Sequence, residues 1–450
     1  MSKIYDFSVL FNLTRRYVVF MFKRFYGEFI VVGKENIPNG YPLIFAPSHT
    51  NALMDALAVH SVSPQNLPVI FLARADIFKN KTAAKFLHFA KIMPIFRIRD
   101  GIENLGKNND IFLQCVEVLD NNKALGIMPE GNQEIERKIR PIVKGIFRIA
   151  FAAQTKYGNL PGVKIIPIGM DYEDIVKSNK PIIINIGKPI EVSEYMNSYA
   201  DNQVIATNEI RDRLRDDLSN LTVDLATDKY YECFVTAIEV ASGFELNELN
   251  LPDKARNRFI ARQKINEKLV GLEKNDPESI SKLDSLCTEY ENSLKRIKLK
   301  DKLLEKSAPG FPILFLKAIG LFLTLPVFFI GLVLNFFPFF TPVFVRKYIF
   351  KTQFTGFFSS LQFGLGIITF PVFYGIQTLI FGLTVTGLWW AVLLFFFAQY
   401  PLGKMSLNLY KKMRKFIAKI RYRKLQMKNK VELDEVKSIR NQIINIISNA

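Results

Sequence analysis

The sequence predicts an α/β fold: a mostly parallel sheet flanked by helices, joined to a helical insertion and a C-terminal membrane-embedded helical segment. Three observations predict it. Short apolar runs alternate with helical stretches over residues 29–190. A charged, strand-poor stretch occupies 195–307. Two uncharged apolar runs then cover 318–345 and 352–403.

The elements follow in order. Residues 9–26 (VLFNLTRRYVVFMFKRFY) read as a helix lying in a membrane interface, with a core-packing helix as the alternative. Arg15, Arg16, Lys23 and Arg24 interrupt its apolar residues, which argues against a signal peptide. Strand candidates are 29–32, 43–46, 69–72, 124–128, 164–168 and 182–186. Helical stretches lie between them, at about 52–61, 80–90, 107–121 and 143–157. Alternation of this kind argues for a substantially parallel sheet. The expected organisation is an interfacial helix (1–28), an α/β domain (29–195), a charged helical region (196–307), membrane-embedded helices (308–403) and a basic tail (404–450).

Composition narrows the function classes. At 49% apolar and 13% aromatic residues, global disorder is excluded. Cys115, Cys233 and Cys287 have no CxxC spacing, which excludes a disulfide framework and a cysteine-based zinc module and fits a reducing compartment. The 60 Lys+Arg against 42 Asp+Glu give +18. Of this, +10 falls in residues 401–450, directly after 52 uncharged residues. That position points to anionic lipid headgroups, not to nucleic acid. The longer apolar run has room for two spans, with Gly375 or Gly382 near the break and Trp389, Trp390 and Tyr400 as interface anchors. Pro326, Asn335, Pro338 and Pro342 make a regular lipid-facing helix less comfortable in the shorter run. With Arg346–Lys351 and the tail both cytoplasmic, the preferred arrangement, the long run is a hairpin and the short run a re-entrant or interfacial segment; one span in each run is the alternative and places three basic residues outside.

Four clusters carry chemistry. His49 follows the strand PLIFAPS, at the end where α/β sheets place their sites, and precedes a helix that Asn51 is positioned to cap. Asp55 lies in the first turn of that helix, and a His–carboxylate pair is the minimum for a general base. His60 and His88 read as packed or surface residues. Arg97 and Arg99, at strand spacing in PIFRIR, point the same way and suit a phosphate. MPEGN (128–132), with Glu130 and Gly131, ends a strand in a turn and precedes the basic run Arg137, Lys138, Arg140 and Lys144. IIPIG (165–169) is a buried strand with a proline. No His/Cys/carboxylate cluster shows metal-ligand spacing.

In this order and spacing the four clusters resemble the motif blocks of the glycerolipid acyltransferase superfamily, which includes glycerol-3-phosphate and lysophosphatidate acyltransferases. The resemblance covers roughly residues 28–195. HTNALMD (49–55) is similar to its His/Asp block, PIFRIR to its acceptor-binding Arg block, MPEGN to its Pro-Glu-Gly block and IIPIG to its late strand block. Three departures stand out. Five residues separate His49 from Asp55 where the family has four, the Gly that often opens the Arg block is missing, and Asn132 and Gln133 follow the Pro-Glu-Gly turn in place of Thr and Arg.

The resemblance implies a membrane-bound acyltransferase of phospholipid biosynthesis. An acyl-CoA or acyl-carrier-protein thioester would be the donor, and a hydroxyl of glycerol-3-phosphate or lysophosphatidate the acceptor, with no cofactor. His49 and Asp55 take the catalytic roles. Arg97, Arg99, Glu130, Gly131 and Lys144 bind substrate, and backbone N–H groups near the Pro129–Gly131 turn are candidates for the oxyanion. The alternatives are another lysolipid acceptor, or a non-catalytic lipid-binding scaffold.

Overall fold

In the computed structural model of the chain, residues 3–96, 106, 108–305, 307–351 and 354–450 are described. The chain divides into two compact units, Met1–Asp224 with Gln353–Ser360, and Leu225–Thr352 with Leu361–Ala450.

The first unit is built on a mixed sheet. Its strands are β1 (Phe29–Val32), β2 (Leu43–Pro47), β3 (Val69–Arg74), β4 (Ile92–Ile95), β5 (Ala124–Gly126), β6 (Lys164–Tyr172), β7 (Ile182–Ile186) and β8 (Ile190–Glu191). The order is β1-β7-β6-β2-β5-β3-β4, with β8 beside β6. Pairings along β6-β2-β5-β3-β4 are parallel, β1–β7 is parallel, and β6–β7 and β6–β8 are antiparallel. The expected mostly parallel sheet is present, and β4 and β8 add edges that the alternation did not separate. β4 is only four residues long (IMPI), and Pro94 interrupts its apolar run.

The helices of this unit are α1 (Val9–Phe25), α2 (Leu53–Val62), α3 (Lys81–Phe89), α4 (Asn108–Asp120), α5 (Gly145–Gln154), α6 (Met196–Asp201) and α7 (Gln203–Leu221). Buried residues of α4, α5 and α7 join one core with Ile44, Ile70, Leu125 and Ile165 of the strands. Helix α7 is amphipathic in the ordinary way, with Ala206, Ile210, Leu214 and Leu218 buried at intervals of four. Helix α1 is capped by Ser8, whose side chain accepts from Phe11 N. It buries Phe11, Arg15, Val19 and Phe22, while Leu10, Leu13, Tyr17 and Phe20 remain exposed. Both of its faces are therefore apolar. The buried Arg15 guanidinium donates to the carbonyls of His60, Ser63 and Pro64, so α1 caps the end of α2.

The second unit is helical. It contains α8 (Tyr231–Glu248), α9 (Ala255–Asn275), α10 (Pro277–Ile297), α11 (Phe311–Leu323), α12 (Leu325–Phe344), the body of α13 (Phe358–Thr384), α14 (Trp389–Lys428) and α15 (Lys430–Ser448). The stretches Leu325–Phe350 (26 residues) and Thr355–Thr384 (30 residues) are long and apolar enough to cross a membrane. The helix break in the long apolar run falls between Thr384 and Trp389, two residues beyond Gly382. The last 50 residues divide into two parts. The basic stretch to Lys428 continues α14, whereas α15 buries Leu433, Val436, Ile443 and Ile447 and pairs Arg440 with Asp301 at 2.8 Å. The three cysteines are free and buried.

Candidate active site

The β2–β6 ladder delivers the site. Pairing runs from Leu43↔Lys164 to Pro47↔Ile168. It continues beyond the strand, because Ser48 N donates to Ile168 O at 2.9 Å and Met170 N donates to Ser48 Oγ at 3.1 Å. His49 therefore emerges beside the end of β6. Gly169 is required there, since a Cβ would meet Leu221 O at 2.2 Å.

His49 Nδ1 lies 3.0 Å from Asp55 Oδ2. The same carboxylate oxygen accepts from Asn51 N at 2.7 Å, and Oδ1 accepts from Tyr172 OH at 2.6 Å. Burial and then the Asp55 charge push the Tyr172 phenol well up, so it stays a donor. Asp55 is fully buried and each of its oxygens is engaged, while the imidazole keeps 16% of its surface open. A carboxylate facing Nδ1 fixes that nitrogen as the N–H and leaves the Nε2 lone pair free.

The Pro-Glu-Gly turn holds His49 by its backbone. Glu130 Oε1 accepts from His49 N at 2.8 Å, and Oε2 accepts from Arg140 N and Nε at 3.2 and 3.1 Å. Arg140 Nη2 donates to His49 O at 2.9 Å. Both backbone polar groups of His49 are thus clamped by one buried ion pair. Burial pushes the Glu130 carboxyl up, and the His49 N–H and the Arg140 guanidinium pull it back. The turn itself uses Gly131 at φ +68°, a conformation that favours glycine. Gly131 N donates to Met128 O at 3.1 Å, so this N–H is committed to the turn and is not an oxyanion donor here.

The backbone also shows where the additional residue between His49 and Asp55 goes. Ala52, just before α2, sits at φ 44° and ψ −120°, a strained conformation for a residue with a Cβ. The expected cap by Asn51 does not form. Ala52 occupies the cap position without a side-chain bond, and Asn51 Nδ2 donates to Ile175 O instead.

Of the residues singled out in the sequence, the structure brings His49, Asp55, Glu130 and Gly131 together. Lys144 is exposed at the head of α5. Arg97 and Arg99 lie outside the described residues. His60 packs against Phe11 and Phe71 at ring distances of 6.4 and 5.1 Å, and His88 is exposed on α3. Sequence reasoning missed Tyr172, which is 117 residues from Asp55, and gave Arg140 no role at His49. Beside the pair, Ser48, Thr50, Arg137, Met170, Tyr172 and Thr222 line part of a shallow open pocket. Among the described residues no group of three or more His, Cys, Asp or Glu is placed to hold a metal.

The Acyltransferase family model matches residues 28–171, a stretch that contains His49, Asp55 and Glu130. Residues 28–171 are thus an acyltransferase-family domain, in line with the resemblance of the motif blocks to glycerolipid acyltransferases. Glycerol-3-phosphate O-acyltransferase 1 of Saccharomyces cerevisiae is 27% identical over 247 residues, which cover 52% of this chain and 30% of the yeast protein. The chain therefore spans under a third of that relative. The crystal structure of the 1-acyl-sn-glycerophosphate (LPA) acyltransferase PlsC from Thermotoga maritima aligns with a TM-score of 0.33 and 16% identity, over 47% of this chain and 80% of that one. Within the acyltransferase domain, the His/Asp block forms the hydrogen-bonded His49–Asp55 pair, the Pro-Glu-Gly block clamps the backbone of His49, and the late strand block supplies the ladder beside it.

Proposed function

We propose that the protein transfers a fatty acyl group from a thioester to a hydroxyl of a glycerophosphate-type acceptor, glycerol-3-phosphate or lysophosphatidate. The observation that carries this reading is the His49–Asp55 pair at 3.0 Å, with both Asp55 oxygens saturated and the outer imidazole nitrogen open. His49 Nε2 takes the acceptor hydroxyl proton as the oxygen attacks the thioester carbonyl carbon. Asp55 stabilises the imidazolium that forms. The carbon–sulfur bond then breaks, and the departing sulfur takes the proton back from His49. Every step is assigned to this pair and the two substrates, with no cofactor. Arg137 lines the pocket beside the pair and suits an acceptor phosphate. Arg97, Arg99 and Lys144 are further candidates for that role.

The reading includes attachment to a membrane. Exposed Leu10, Leu13 and Phe20 on α1 lie next to Arg16, Lys23 and Arg24, as in a helix seated on anionic lipid. The two long apolar stretches supply spans, and the basic half of α14 suits the cytoplasmic headgroup side. The same proposal assigns the acyltransferase domain to the cytoplasmic side.

The test is an acceptor screen on the full chain in phospholipid nanodiscs. Glycerol-3-phosphate, lysophosphatidate, dihydroxyacetone phosphate and lysophospholipids are each offered with acyl-CoA and with acyl-carrier protein. We expect acylation of a glycerophosphate hydroxyl, and a loss of at least about 10²-fold in His49→Ala. Full activity in His49→Ala, or no acylation with any pair, overturns the reading.

A further inference from the structure

One short segment of the C-terminal half belongs to the first compact unit. Residues Gln353–Ser360 group with Met1–Asp224, and the last three of them, Phe358–Ser360, open α13, a helix of 27 residues. Two hydroxyls in its first turn, Ser359 and Ser360, are 1% and 7% exposed. Ser359 Oγ donates to Asn51 Oδ1 at 2.6 Å, and Ser360 Oγ approaches Asn51 O at the long distance of 3.5 Å.

Asn51 is 0% exposed, and each of its polar groups has a partner. Its N–H donates to Asp55 Oδ2 at 2.7 Å, its Nδ2 to Ile175 O at 3.3 Å, and its O accepts from Met54 N at 2.9 Å. Ser359 is the partner of the remaining group, Oδ1. The neighbouring Ala52 is strained at φ 44°, and such a conformation persists only where its surroundings over-determine it. The loop 49–52 is fixed from one side by Glu130 and Arg140 on His49, and from the other by Ser359 on Asn51.

We propose that Ser359 is a positioning residue for the His49–Asp55 pair, acting through Asn51. Its hydroxyl keeps Asn51 where the Asn51 N–H orients the Asp55 carboxylate and where the strained turn into α2 is held. The first turn of α13 is therefore part of the acyltransferase site, although it lies about 300 residues from it in sequence. A buried Asn51 Oδ1 left without its donor loses a favourable interaction and stays desolvated, and the loop relaxes to find another partner. The proposal rests on the catalytic reading above.

The test uses the full chain in nanodiscs with acyl-CoA and glycerol-3-phosphate. Ser359→Ala is expected to lower kcat about tenfold, with KM for both substrates within about twofold of wild type. Ser359→Thr, which keeps the hydroxyl, restores kcat to within about twofold. Ser359→Cys, close in size but a weak donor, behaves like Ser359→Ala. In a double-mutant cycle Asn51→Ala/Ser359→Ala is no worse than Asn51→Ala alone, because the effect passes through Asn51. Should Ser359→Ala fail to fold, the cysteine and threonine variants carry the comparison. Wild-type kcat in Ser359→Ala or Ser359→Cys, or additive losses in the cycle, overturns the role of Ser359 while an inactive His49→Ala leaves the catalytic reading standing. Full activity in His49→Ala overturns both.

Discussion

Strand β6 and helix α13 use the same apolar residues in opposite ways. All nine residues of β6 are buried, including the polar Asp171. In α13, Ile368, Val372, Ile376, Leu379, Ile380 and Leu383 are exposed, while Ser359, Ser360 and Tyr374 are buried. Its outward face is oil, and its inward contacts combine ring stacking, Phe373 on Phe337 and Phe381 on Phe395, with hydrogen bonds. Tyr374 OH donates to Asn335 Oδ1 at 2.5 Å, Asn335 Nδ2 to Gln399 O at 3.2 Å, and Gln399 Nε2 to Thr378 Oγ1 at 3.0 Å. Small residues let the helices approach: a Cβ on Gly331 would meet Leu402 O at 2.3 Å, and one on Gly403 would meet Asn335 at 2.4 Å. This is the packing expected where the solvent is lipid and apolar burial supplies no driving force between helices. In β6 the driving force is removal of apolar surface from water. On the membrane-bound reading proposed above, hydrophobicity is the same property in both elements, and the surrounding medium decides which side of the element it occupies.

The largest expected effect in the first unit is at the buried carboxylate beside the end of β6. Asp55→Asn keeps shape and volume but replaces the acceptor that fixes Nδ1–H. We expect kcat to fall by about 10³-fold or more with KM changed only a few-fold, from loss of the correct tautomer and of imidazolium stabilisation. Steady-state kinetics in nanodiscs checks this, and a loss under tenfold would show that Asp55 does not act on the imidazole.

A paired truncation tests the comparison itself. Ile166→Ala in β6 removes fully buried methyl groups, and the expected cost to the first unit is about 3 kcal/mol. Leu379→Ala in α13 removes a side chain that is 62% exposed, and the expected change is within about 0.5 kcal/mol. Pulse proteolysis in urea, with the chain in nanodiscs, reads both. Equal losses would mean that Leu379 is covered by protein. Leu379→Lys complements the pair: a charge at a helix centre costs about 2.5–3.5 kcal/mol of insertion, so its membrane retention after alkaline extraction should drop while Ile166→Ala is retained.

The contrast also explains what was legible in the sequence. β1, β7 and their turns were readable because a buried strand in an α/β sheet is a short apolar run bounded by turn residues, a local signal. His49 and Asp55 were readable for a similar reason, six positions apart on one loop and one helix turn. Tyr172 was not. Its role depends on the β2–β6 pairing, and nothing in IGMDY marks the tyrosine as a donor to Asp55 before that register is known. Arg140 was visible only as one charge in a basic run, because its clamp on His49 O needs the Pro-Glu-Gly turn already folded against β2. Ser359 is the extreme case, a serine in an apolar run whose partner is 308 residues away. The capping role expected of Asn51 failed for a related reason: its carbonyl oxygen is taken by Ser359 and its amide by Ile175, so the side chain has nothing left for the helix start.

A pH dependence separates the two regions as well. All three histidines precede residue 224, so imidazole titration acts on the first unit alone. His60 is the member of the three that burial controls. Its Nδ1 has no hydrogen-bond partner, its ring lies between Phe11 and Phe71, and the Arg15 guanidinium caps the same turn. Burial first, and the Arg15 charge second, lower its pKa to about 3 from the ordinary 6.5. The unfolded chain therefore binds a proton at His60 between those two values, where the folded chain does not. Stability from this group is fully present above pH 6.5 and is lost as pH falls toward 3. Allowing for the partial exposure of the ring, the loss between pH 6.5 and pH 4 is on the order of 2 kcal/mol. His60→Phe keeps a ring between the same two neighbours and removes the proton site. Its urea midpoint, read by proteolysis of the first unit, should decline less than that of wild type over this range, by an amount of that order. The remaining decline belongs to carboxylates such as Asp174, whose pairing with Lys177 holds it below the usual range once its own burial is overcome. Identical slopes for His60→Phe and wild type would mean that the imidazole is solvated, and that the Arg15–His60 corner is not sealed.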